Sequence, residues 1–222
     1  MMIPKIIHQT YKHKTPLPET YKTCQDIIVG LHPDFEYMFW ADDSMFDEMK
    51  TSFPDYFDAF MKLPRTIMRI DMFRYFLMYK YGGIYSDLDY FMLKPFDLLD
   101  HNVVIPCNRE DENGTTTCLG NCIFASQPNH PFWKMLMDSL WTFDRNDIEY
   151  KRDDVIINST GPKFVYTEWV KYSKNHDDIH IPCRALFHPP STRNISQIND
   201  LKKKKYAYGI HLCEGLWMNN KL

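Results

Sequence analysis

Apolar positions along the chain alternate between two spacings. Ile3, Ile6 and Ile7 run into the polar trio His8, Gln9 and Thr10, which predicts a first strand over residues 3–10. Residues 20–30 carry an amphipathic helical pattern that stops at Gly30, and Glu36 to Trp40 (EYMFW) reads as a second strand. Residues 45–61, rich in Phe, Tyr and Asp, read as helical. From Pro64 to Tyr81 apolar residues recur on nearly every face, the pattern of a helix buried on most sides. Arg69, Asp71 and Arg74 interrupt it. Gly82 and Gly83 supply a stop, and Ile84-Tyr85 begins an extended run into Asp87-Leu88-Asp89.

Downstream, residues 90–93 and 103–106 read as strands, 108–121 as a polar loop or hairpin, and 130 to about 143 as a helix opened by His130 and Pro131. A helix over 163–172 follows Thr160-Gly161-Pro162, where Thr160 suits either a helix cap or an anion contact. Short strands are expected at 179–182, 185–188 and 206–212. This alternation points to an α/β nucleotide-binding fold, whose ligand crevice lies at the carboxyl ends of its strands. The chain has 222 residues, a length that suits one domain over 1–222 with a helical elaboration at about 45–80.

Asp71 and Arg74 lie three apart on one helix face and cannot enter a core unpaired; they must meet each other, a ligand or water. Asp87 and Asp89 are two apart at a strand end, so their carboxylates converge while Leu88 turns to the core. Their mutual repulsion calls for a positive partner, and hard oxygen donors suit Mn²⁺ or Mg²⁺. The bland alternative for two such aspartates is a solvated turn.

A formal charge of −3, with one short basic run at 202–205, gives no footprint for nucleic acid. The six cysteines show no zinc spacing and read as free thiols. No leader and no stretch of about 18 apolar residues stands out, so the chain is expected to be soluble and cytoplasmic, with no transmembrane segment. The sequons at Asn113, Asn158 and Asn194 are then accidental.

Asp71, Arg74, Gly82, Gly83, Tyr85, Asp87 and Asp89 together form DxxRY-x6-GGxYxDxD, which resembles the family 32 glycosyltransferases, relatives of yeast-type outer-chain mannosyltransferases and clostridial glucosylating toxins. The resemblance runs from Ile3 to Trp217 and implies a single GT-A domain with a mixed central sheet flanked by helices. It implies retaining transfer of a sugar from a nucleotide-diphosphate donor to a hydroxyl of a glycan or protein acceptor, assisted by Mn²⁺ or Mg²⁺. Asp89 would bind the metal, Asp87 would bridge metal and ribose, Tyr85 would line the nucleotide, and Asp71 with Arg74 would hold the sugar's hydroxyls. The edge formed by His8, Gln9, Thr10 and Tyr11 would receive the nucleotide, although His8 equally suits a structural role. Asn121 would face sugar or acceptor, or else cap a turn.

At the carboxy-terminal end, relatives carry two adjacent histidines followed by Gly-Ser-Trp. Here only His211, Gly215 and Trp217 match, with Leu212 and Leu216 in the other places. His211 is the expected third metal ligand, with Glu214 also chemically able, and Trp217 is expected to close over the diphosphate or to anchor in the core. A non-catalytic sugar- or nucleotide-binding module is the main rival, because one weakened ligand could abolish turnover while sparing binding. A DxD phosphohydrolase is the other rival, and the flanking Tyr85-Ser86 and Phe91 disfavour it.

Overall fold

The computed structural model describes residues 2–14, 16–142, 152–189 and 206–213. In chain order the elements are β1 (Ile6–Thr10), α1 (Glu19–Leu31), β2 (Glu36–Trp40), α2 (Asp42–Ser52), α3 (Pro54–Met61), α4 (Thr66–Lys80), β3 (Gly83–Ser86), β4 (Tyr90–Met92), β5 (Val103–Val104), β6 (Cys107–Glu110), β7 (Thr116–Leu119), β8 (Ile123–Ser126), α5 (Pro131–Asp138), α6 (Asp153–Ser159), α7 (Pro162–Tyr172), β9 (Ile179–His180), α8 (Arg184–Phe187) and β10 (Gly209–His211). Six strands form a mixed sheet in the order β2-β1-β3-β8-β5-β9. β1 runs parallel to β2 and β3, and β8 is antiparallel to both β3 and β5. Two further pairs, β4 with β10 and β6 with β7, make separate two-stranded ribbons.

The sheet divides two apolar cores, and its strands show the two-residue alternation directly. Tyr85, Val103 and Phe124 join the larger core with α4 and α5, whereas their neighbours Ile84, Val104, Ile123 and Ala125 join the smaller one. α4 buries ten of its residues, from Ile67 to Met78, in keeping with apolar positions on nearly every face.

Several expectations shift in detail. The 45–61 stretch is two helices, because Pro54 cannot donate within a continuing helix but fits the first turn of a new one. Of residues 185–188, expected as a strand, 185–187 lie in the single helical turn of α8, whose Phe187 is buried, and His188 is its C-cap; a short apolar run does not distinguish the two by period. The stretch 206–212 contributes only β10, which pairs with β4 rather than with the central sheet. α6, its first turn occupied by Asp153 and Asp154, was not anticipated. The expected end of the 130–143 helix lies outside the described residues, but α5 gives way at Ser139–Thr142 to a 3-10 turn. Among the described residues no helix is long and apolar enough to cross a membrane, and all six cysteines are free thiols.

The turn from α4 into β3 requires glycine twice. Gly82 and Gly83 have φ of 64° and 86°, in the left-handed region. A Cβ at Gly83 would also stand 2.6 Å from the Ile6 carbonyl oxygen, where β1 and β3 pair. Gly83→Ala therefore combines backbone strain with a backbone collision, and a loss of at least ~2 kcal/mol is expected in urea unfolding. An unchanged midpoint would show that this turn can relax without cost.

Candidate active site

The two aspartates follow β3 as a turn, not as a continuation of the strand: the Tyr90 N–H donates to the Asp87 carbonyl at 3.0 Å. They converge nonetheless. Leu88 between them is buried, and three backbone contacts hold the turn. The Asp87 N–H donates to the Cys122 carbonyl at 2.7 Å, the Leu212 N–H donates to the Asp89 carbonyl at 2.9 Å, and Gln9 Nε2 donates to the Asp87 carbonyl at 3.4 Å.

β10 brings His211 to this turn through its antiparallel pairing with β4, which sets His211 opposite Tyr90. His211 Nε2 lies 3.1 Å from Asp89 Oδ1 and 3.9 Å from Asp87 Oδ2. One ligand atom from each of Asp87, Asp89 and His211 falls within 4.8 Å of the others, the only such group of three or more among the described residues. Two carboxylates and an imidazole are a donor set suited to Mn²⁺ or Mg²⁺, so the residues present fit a divalent cation. Burial opposes charge on His211, but Cys122, Asp89 and Cys213 outweigh it and hold its pKa well above the usual value.

Behind the acidic pair lies a buried cation. Arg74 is 6% exposed; its guanidinium reaches Asp87 Oδ1 at 3.2 Å and Asp71 Oδ1 at 3.3 Å, and donates to the Asn121 carbonyl at 2.6 Å. It also lies over the Tyr85 ring at 4.9 Å. Tyr85 donates its hydroxyl to Asp87 Oδ1 at 2.8 Å, with Thr10 Oγ1 2.9 Å away on the other side. Asp71, 4% exposed, accepts from Asn121 Nδ2 at 2.9 Å and from the Thr160 hydroxyl at 3.0 Å, so both its oxygens are occupied within the protein. Burial pushes the Asp71 pKa up to about 6 against the pull of Arg74, Thr160 and Asn121. Burial also raises Asp87, with Arg74 opposing and Asp89 adding to the rise.

Most of the residues singled out in the sequence thus meet in one place: Asp71, Arg74, Tyr85, Asp87, Asp89, Asn121, His211, Gln9 and Thr10. Asn121 is a junction rather than a simple turn cap, since its side chain and carbonyl tie Asp71 to Arg74. Tyr11 packs edge-on against Tyr21 at 5.4 Å, beyond the end of β1. An open surface hollow of about 460 Å³, lined by Lys12, His13, Lys14, Ala41, Asp42 and Asp43, lies past the carboxyl ends of β1 and β2.

His8 is fully buried. Its Nε2 is 2.9 Å from the Gly82 carbonyl and its Nδ1 accepts from Trp40 Nε1 at 3.1 Å, which is the structural histidine of the two alternatives. Burial lowers its pKa to about 4. Trp217 and Glu214 lie outside the described residues. Thr160 neither caps α7, where Gly161 takes the cap position, nor lies free for an anion; its hydroxyl goes to Asp71. Tyr75, whose hydroxyl meets Asn121 Oδ1 at 3.1 Å and the Thr160 carbonyl, was missed. The only signal for it was its place next to Arg74 in the motif.

With this geometry in place, comparison with known proteins is specific. Residues 18–107 match the family described as "Glycosyltransferase sugar-binding region containing DXD motif". This stretch belongs to that glycosyltransferase family. The family-32-like chain is 36% identical over 227 residues to inositol phosphoceramide mannosyltransferase 2 of Schizosaccharomyces pombe, covering 99% of this chain and 59% of that protein. It is 35% identical over 176 residues to mannosyl phosphorylinositol ceramide synthase SUR1 of Saccharomyces cerevisiae, covering 78% and 43% of the two chains. The chain therefore spans about half the length of the curated relatives it matches. A solved structure titled PaToxG Glycosyltransferase superposes with a TM-score of 0.54 at 18% identity, over 92% of this chain and 76% of that one. The likeness shows the fold, a mixed sheet flanked by helices of the GT-A type.

Two measurements probe the buried groups. Arg74→Ala would leave Asp71 and Asp87 without their cation, and a stability loss of ~3 kcal/mol or more is expected. Adding Asp71→Asn to that variant should return part of the loss, and strict additivity in the double-mutant cycle would show that the two do not interact. For His8, the unfolded chain takes up a proton near pH 6.5 while the folded chain resists until about pH 4. The stability His8 contributes is present above pH 6.5 and is lost as pH falls towards 4, by at most ~3 kcal/mol. Wild type minus His8→Gln should show this decline in chemical unfolding; a difference flat with pH would refute the buried neutral imidazole.

Proposed function

We propose that this chain is a metal-dependent, retaining glycosyltransferase that moves a sugar from a nucleotide-diphosphate donor to an acceptor hydroxyl. The observation that carries the reading is the convergence of Asp87, Asp89 and His211 within 4.8 Å, the acidic pair lying in the stretch 18–107 that matches the family. Asp89 and His211 would hold the cation directly, and Asp87 would serve both cation and donor ribose. The bound Mn²⁺ or Mg²⁺ supplies Lewis-acid stabilisation of charge on the leaving diphosphate, a role that needs no protein general acid. Tyr85 and Arg74 hold Asp87 in place and oppose the rise in its pKa that burial causes. No side chain of the cluster is placed as an enzyme nucleophile, and front-face attack by the acceptor fits this donor set.

The names of the relatives point the sugar towards mannose and the acceptor towards an inositol phosphoceramide headgroup. Glycan and protein hydroxyls are the other acceptor classes. We read the chain as one catalytic domain, to which its longer relatives add further sequence.

The test is donor hydrolysis and transfer with a panel of nucleotide sugars, with and without Mn²⁺. Sugar release should require the cation, and Asp89→Asn should lower turnover at least ~100-fold, about 2.7 kcal/mol, while the variant still unfolds cooperatively, since it relieves repulsion with Asp87 as it weakens the contact with His211. Near-normal turnover in that variant would remove the metal site from the reading. Donor binding without turnover in the wild type would leave a binding module instead.

A further inference from the structure

The last described residue of the chain, Cys213, has a backbone that a side chain seldom adopts. Its φ is 55°, and apart from Asn129 it is the only non-glycine residue with positive φ among the described residues. A cysteine there gains nothing from the conformation itself, which glycine adopts without the steric cost of a Cβ. The turn folds its thiol back on the preceding strand: Sγ comes to 3.2 Å from His211 Nδ1 and 3.6 Å from the His211 carbonyl. The two nitrogens of His211 are thus both engaged, Nε2 towards Asp89 and Asp87, Nδ1 towards sulfur.

A histidine can give Nε2 to a cation only as the tautomer that carries its proton on Nδ1, and that N–H then needs an acceptor. The carboxylates on the other side of the ring cannot serve. We infer that Cys213 is a positioning residue for the metal centre: its Sγ accepts the Nδ1 proton of His211, sets the ring's tautomer and orientation, and directs the Nε2 lone pair between Asp87 and Asp89. The inference rests on the reading of Asp87, Asp89 and His211 as metal ligands. A thiol both donates and accepts weakly, so the contact survives with or without the cation. The adjoining Leu212 N–H, bound to the Asp89 carbonyl, fixes the strand from which this turn starts.

Three substitutions separate this role from a merely structural one. Cys213→Ala removes the acceptor and keeps the strain, Cys213→Gly removes both, and Cys213→Ser keeps an acceptor. Mn²⁺ affinity is measured on the whole chain by calorimetric titration without donor, with Asp89→Asn as the blank, beside melting without metal. Outer hydrogen-bond partners of metal-bound histidine are worth roughly 10- to 100-fold in affinity, so about tenfold weaker binding is expected for Ala and Gly, and binding within about threefold of wild type for Ser. The glycine variant should melt no lower than the alanine variant although both bind the cation poorly. Wild-type affinity in the Ala and Gly variants overturns the inference and leaves the metal site standing, as does a Ser variant no better than Ala. A wild-type chain that binds Mn²⁺ no better than the blank overturns both the metal reading and this inference.

Discussion

One buried guanidinium holds the site together. Arg74 is almost entirely withdrawn from water and sits between two carboxylates, Asp71 beneath and Asp87 in front. A charge so placed is tolerated only where its partners are fixed; both terminal nitrogens meet a carboxylate and Nη1 also the Asn121 carbonyl, while Nε has no hydrogen-bond partner. That requirement explains why elements distant in sequence meet here. α4 supplies both members of the inner pair, and the segment before β8 supplies Asn121. The junction of α6 and α7 supplies Thr160, whose hydroxyl completes Asp71. Tyr75 joins Asn121 to Thr160 from the side. Each of these contacts leaves fewer ways for the helix to rotate, so the position of Asp87 is set from behind before any ligand arrives.

The front of the site has a different construction. Asp87 and Asp89 lie on a tight turn whose backbone is held from three directions, by β1 through Gln9, by the segment before β8 through Cys122, and by β10 through Leu212. The β4–β10 ribbon does for His211 what the central sheet does for Tyr85: hydrogen-bonded register, not side-chain contact, determines which residue faces the carboxylates. Holding donors in place by backbone pairing keeps them together against their own repulsion, the condition for a pre-organised cation site. Tyr85 links the two halves, with its ring under Arg74 and its hydroxyl on Asp87.

The sequence by itself determined the α/β class, the long buried helix α4, the paired glycines and the convergence of Asp87 with Asp89. The first three follow from local rules of period and positive φ, whereas the two aspartates converge on a turn held by backbone contacts and not by the alternation of a strand. It also showed that Asp71 and Arg74 required partners, since no core accepts them bare, but not which partners. Tertiary structure decided that, because Asn121 and Thr160 lie 50 and 89 residues from Asp71 and no spacing rule reaches so far. It likewise decided that His8 is an interior hydrogen-bonding group, that residues 185–187 wind into a turn of helix with Phe187 buried, and that β10 pairs with β4 outside the central sheet. Short apolar runs and single polar residues carry too little local information to choose between such fates; the packing and hydrogen bonds of the neighbours that arrive from elsewhere in the chain make the choice.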